Sequence, residues 1–194
     1  TGHQDFLEEI YEQYQVSILA LGGQPSVLNV EYFVDELKKQ RVDIRRSFYL
    51  FSIVDYDPSG WIIRDAFIDD LHHYGVKNTQ VIDFVHPDML DPDEVKLAKY
   101  RIPMTEGMRV KNQAWLKEVH KRDYQNQKYL EEDTKRGEKM LYGLESESVS
   151  AQRLSAALEV SMVPMIGKTE KALKIFQLKK LNDAIRQLIL HKVT

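Results

Sequence analysis

The chain of 194 residues contains no cysteine. That absence excludes disulfides, cysteine nucleophiles and thiolate metal sites together. No apolar run approaches the roughly 20 residues a membrane-spanning helix needs. The start, Thr1-Gly2-His3-Gln4-Asp5, has neither the basic residues nor the apolar stretch of a signal peptide. The setting expected is cytoplasmic, with a cytoskeletal or ciliary assembly as its place. Also missing are a glycine-rich phosphate loop, a His-Glu-x-x-His helix and a nucleophile elbow. The histidines His3, His72, His73, His86, His120 and His191 are scattered, and adjacent His72 and His73 diverge on a helix. The acidic pairs Asp69-Asp70 and Glu131-Glu132 diverge in the same way and read as solvated surface. An enzyme is not expected, nor is a cofactor.

What is present is an ordinary globular composition, 43% hydrophobic and 29% charged. The net charge of −3 conceals two unequal halves. Residues 1–100 carry 18 Asp or Glu against 9 Lys or Arg, a net of −9. Residues 101–194 carry 12 against 18, a net of +6. The basic charges alternate with acidic ones and form no block, so nucleic acid is not an expected partner.

Residues 55–67 carry the most information: Asp55-Tyr56-Asp57-Pro58-Ser59-Gly60-Trp61-Ile62-Ile63-Arg64-Asp65-Ala66-Phe67. Ile44, Phe48, Phe51 and Val54 fall at helical spacing before this run, and Phe67 and Leu71 continue an apolar face after it. Asp43 to Tyr74 thus resembles one hand of the EF-hand (calmodulin-like) superfamily, with Asp55, Asp57 and Ser59 at ligand positions 1, 3 and 5 and Gly60 at the turn. Position 9 is Ile63, and position 12, where the bidentate Glu belongs, is Ala66. Neither offers a side-chain oxygen. The loop is read as vestigial, with calcium binding unlikely and no metal expected. Because hands come in pairs, residues 5–40 are read as a second, degenerate hand, a plain helical hairpin being the other reading.

The fold expected is therefore all-α: a degenerate EF-hand pair followed by an extended helical C-terminal region. The domains expected are 1–100 as the EF-hand-like helical module, 101–147 as an extended polar helix or arm, and 148–194 as a C-terminal helical hairpin. Within the module, Asp91-Pro92-Asp93-Glu94 is a helix start. The final helix bears Ile175, Phe176, Leu181, Ile185 and Leu188 on a broad apolar stripe, and these are the expected partner-binding residues. The function expected is a non-catalytic structural or adaptor subunit whose calcium-independent clamp binds helical segments of other protein subunits. The alternative is a weak calcium or magnesium sensor that regulates a partner and uses Asp55, Asp57 and Ser59 with water.

Overall fold

Phe48-Tyr49-Leu50-Phe51-Ser52 is a short run of aromatic and aliphatic residues that suits a strand as well as a helix turn. In the computed structural model of the chain it is strand β1. The structure describes residues 3–14, 16–20, 26–134, 139–166 and Leu181. In chain order the elements are α1 (Gln4–Tyr14), α2 (Val27–Lys39), β1 (Phe48–Ser52), α3 (Pro58–His73), β2 (Thr79–Asp83), α4 (Pro92–Ala98), β3 (Tyr100–Arg101), α5 (Glu106–His120), β4 (Glu131–Asp133), β5 (Lys139–Gly143) and α6 (Ala151–Ile166). The all-α expectation is corrected: helices accompany two small sheets, and the fold is mixed α/β. The chain divides into a central unit, residues 20–149, and a terminal unit, residues 1–19 with 150–194.

The central unit is organised by a β1–α3–β2 crossover. The strands run parallel, from Phe48 opposite Thr79 to Ser52 opposite Asp83, and a parallel pair requires such a crossover. Helix α3 starts where the sequence dictates. Asp57 caps it by accepting the Gly60 N–H at 2.6 Å, and Pro58 occupies the first position, where a missing N–H costs nothing. The helix ends in a Schellman motif. The Gly75 N–H donates to the His72 carbonyl and the Val76 N–H to the Leu71 carbonyl, with Gly75 at φ +100°, a region that favours glycine. Leu71 and Val76, joined by that motif, then share a core with Phe67 of α3 and Val30 and Val34 of α2; Phe33, Ile44, Phe48 and Leu50 pack against it.

The helix–loop–helix expected over 43–74 is thus a strand followed by a helix. Ile44 to Val54, read as an entering helix, contains β1, and the loop expected at 55–66 is helical from Pro58 onward. Ile63 and Ala66 lie inside α3. The proposed partner hand is also divided, because α1 belongs to the terminal unit and α2 to the central one.

Residues 101–147, read as an extended polar helix or arm, belong to the central unit. They include α5, which buries Trp115 and Val119, and strands of an antiparallel sheet in the order β3-β5-β4. Leu130, Leu141 and Leu144 are buried there, beside Gln127. Few apolar residues suffice because Trp115 and the three leucines are large, and the buried Gln127 amide among them is hydrogen-bonded at both ends. Gln127 accepts from the Tyr56 hydroxyl at 2.8 Å and donates to Glu131 at 3.0 Å. Helix α4 begins with the expected capping box, the Asp91 N–H donating to the Glu94 carboxylate at 2.8 Å.

In the terminal unit α1 packs against α6, and Phe6, Ile10, Leu154, Leu158 and Met162 are buried. Helix α6 contains Pro164 and runs to Ile166. The remainder of the expected 148–194 hairpin lies outside the described residues, Leu181 excepted.

Candidate acidic site at the end of a parallel strand

The carboxyl end of a parallel strand, where the chain turns into its crossover helix, is where open α/β sheets place ligands. In this chain that junction is Ile53 to Asp57, between β1 and α3. The Asp57 N–H turns back to the Asp55 carbonyl at 2.9 Å. Tyr56 points into the core, where it is fully buried and meets Trp61, Trp115 and Tyr124 edge-on at 5.4–6.0 Å between ring centres. Its backbone pairs with Leu144 in both directions, at 2.8 and 3.2 Å, which ties the junction to the end of β5. Asp55 and Asp57 flank Tyr56 and are half-buried.

Asp57 has two partners. One oxygen caps α3, and the other accepts the Tyr100 hydroxyl at 2.6 Å. Asp55 accepts the Ser146 N–H at 2.8 Å. Burial pushes the Tyr100 phenol far above its ordinary range, and the hydrogen bond to Asp57 and the charges of Asp57, Asp55 and Glu145 push it further. Three carboxylates therefore bear on one phenol. Among the described residues, Asp55, Asp57 and Glu145 form no ion pair with a lysine or arginine.

Two glycines make this approach possible. A Cβ on Gly60 would stand 2.2 Å from the Asp55 carbonyl oxygen. One on Gly143 would stand 2.9 Å from both the Tyr100 ring and the Tyr56 carbonyl oxygen. Gly60 serves close packing of the helix start on the acidic junction, in place of the calcium-loop turn read from the sequence.

A second polar cluster sits at the end of β2. Arg64 of α3 is buried, donates to Asp83 at 2.8 Å and lies over the Trp61 ring at 4.3 Å. Arg122 reaches Asp83 at 3.6 Å from the other side. His86 stacks on Tyr124 at 4.6 Å, and burial lowers its pKa against the opposing pull of Asp88 and Asp83. These charges compensate one another, which distinguishes this cluster from the acidic junction.

Of the residues read from the sequence, Asp55 and Asp57 are at the junction, and Ser59 is exposed in the first turn of α3. Leu181 is exposed, at 57% of its surface. Ile175, Phe176, Ile185 and Leu188 lie outside the described residues. Tyr100, Glu145 and Ser146 had no signal in the sequence, because strand pairing across some forty to ninety positions brings them in. Among the described residues no three histidine, aspartate or glutamate side chains are arranged to hold a metal by themselves. Comparison with family models, with curated proteins and with solved structures finds no match, so the functional reading stands on this geometry.

Proposed function

We propose that the central unit binds a divalent cation of the magnesium type at Asp55 and Asp57, and through it a phosphate-bearing ligand. One observation carries the reading: two carboxylates two residues apart leave the carboxyl end of a parallel strand, with Glu145 nearby and, among the described residues, no ion pair to a lysine or arginine. Magnesium is typically held by one or two carboxylates, with water and a ligand phosphate completing the shell. A site of two protein carboxylates fits that habit. It does not fit high-affinity calcium, which needs six to eight oxygens. The start of α3 adds an end favourable to anions. The hydrogen bonds from Tyr100 and Ser146 hold both carboxylates in place before a cation arrives.

The test uses manganese as the probe, followed by nuclear magnetic resonance. Paramagnetic broadening centred on 55–60 and 144–146, lost in Asp55→Asn, is the expected result. Broadening elsewhere, or none at a concentration near the weak limit of about 10⁻³ M, would overturn the reading. Pyrophosphate binding that appears only with magnesium tests the second half.

A second reading, the adaptor subunit, keeps one specific support. Helix α2 buries Val30 and Val34 but leaves Leu28 and Tyr32, one turn apart, 71% and 67% exposed. Leu28→Asp should leave the melting temperature unchanged and abolish partner capture if this face docks a helix. Capture that survives the change would remove the support.

A further inference from the structure

Strand β1 has one edge that is unpaired among the described residues. Its first N–H donates to the Asn78 carbonyl at 2.7 Å, and its last carbonyl accepts the Phe84 N–H at 2.9 Å. In a parallel ladder alternate residues face the partner strand. Phe48, Leu50 and Ser52 therefore bond toward β2, and the backbone groups of Tyr49 and Phe51 point the other way. No third strand pairs there among the described residues.

Proteins usually blunt such an edge with a charge, a proline, a bulge or a cover. The outer strand β2 has such a guard in Asp83, an inward charge locked by Arg64. Strand β1 has no charge, proline or bulge, and no described strand covers it: Phe-Tyr-Leu-Phe-Ser is uncharged and regular, and Tyr49 is 44% exposed. Parallel sheets are also rarely as small as two strands.

We propose that β1 is a self-association edge, which pairs antiparallel with β1 of a second copy about a two-fold axis at Leu50. Two features select this occupant. The first is hydrogen-bond symmetry. With Leu50 opposite Leu50, Tyr49 of each copy faces Phe51 of the other, and these are the residues whose N–H and C=O groups point outward. The second is charge. The strand is flanked by Arg45 and Arg46 before it and by Asp55 and Asp57 after it. The Arg45 and Arg46 side chains are 86% and 84% exposed, with Asp43 their partner. In this register Arg45 of each copy stands opposite Asp55 of the other, whereas a parallel pair sets Arg45 beside Arg45 and Asp55 beside Asp55. The product is one sheet in the order β2-β1-β1-β2, an isologous closed dimer.

The experiment is light scattering over a concentration series with amide hydrogen exchange on the same samples. A dimer is expected, with exchange at Tyr49 and Phe51 slowing at least about tenfold as it forms, while ladder amides change little. Tyr49→Pro removes an outward N–H and no ladder bond, and should yield a monomer. Tyr49→Lys, a natural edge guard, should do the same if the proline variant fails to fold. A wild-type monomer at every concentration overturns the proposal. So does a dimer that persists in a folded Tyr49 variant, or protection of Tyr49 and Phe51 in a monomer, which would mean another segment covers the edge.

Discussion

At the scale of single residues, Gly60 is the position where least can change. An added methyl would meet the Asp55 carbonyl, which is backbone and cannot rotate away. Gly60→Ala should therefore cost about 1–3 kcal/mol, the usual range for overpacking. Urea unfolding measures it, and an unchanged midpoint would mean the junction is looser than drawn. His86 gives a pH prediction. Burial depresses its folded pKa below that of the unfolded chain, so the unfolded state binds the extra proton first. Stability should be constant above about pH 6.5 and decline as pH falls below it. His86→Phe, which keeps a ring against Tyr124, should flatten that decline in thermal melts at pH 7 and pH 5. Individual residues were the most legible level of the sequence where their effect is local. Asp91, Pro92 and Glu94 build the capping box their spacing predicts, and Asp57 and Gly60 are indeed tied to one turn. What the sequence concealed is the non-local half of the same site, since Tyr100 and Ser146 reach it only through strand pairing.

Among the elements, α3 links both polar clusters, with Asp57 at its cap and Arg64 on its buried face. Arg64 and Asp83 are both buried, and their side chains expose only 7% and 5% of their surface. Breaking such a pair leaves one charge unsupported, so Arg64→Met should cost about 3–5 kcal/mol. Adding Asp83→Leu to that variant should restore much of the loss, and chemical denaturation of the set decides it. A double variant no more stable than the single one would show that Arg122, the other cation near Asp83, and Asp65, which Arg64 also meets at 2.7 Å, matter more than the pair. The same region explains the misread elements. Ile44, Phe48, Phe51 and Val54 satisfy a helical period, but Phe48 to Ser52 is also an unbroken apolar run, and period alone does not separate the two. Parallel pairing with Thr79 to Asp83, thirty residues on, decided for the strand. Residues 104–147 looked unable to build a core because the buried positions are widely spaced. Trp115, Val119, Leu130, Leu141 and Leu144 supply volume rather than frequency.

For the whole molecule, the two units differ in how they use the chain. The central unit is one continuous stretch with its own core, from Val30 to Val149. Residues 20–149 expressed alone should keep the near-ultraviolet dichroism of Trp61 and Trp115, both of which are buried within it. Loss of that signal would show that the core depends on the terminal unit. The terminal unit draws on both ends of the sequence, and residues 15–150 separate α1 from α6. Bringing two helices together across so long a flexible span costs loop-closure entropy, and folding of the intervening stretch replaces most of that span with a fixed distance. The expected order of assembly is the central unit first and the pairing of α1 with α6 after it, which stopped-flow refolding followed by the fluorescence of Trp61 and Trp115 and by far-ultraviolet dichroism would check. A destabilising change at Phe67 or Leu71 should then slow the docking of α1 on α6, although neither residue belongs to the unit whose assembly it delays.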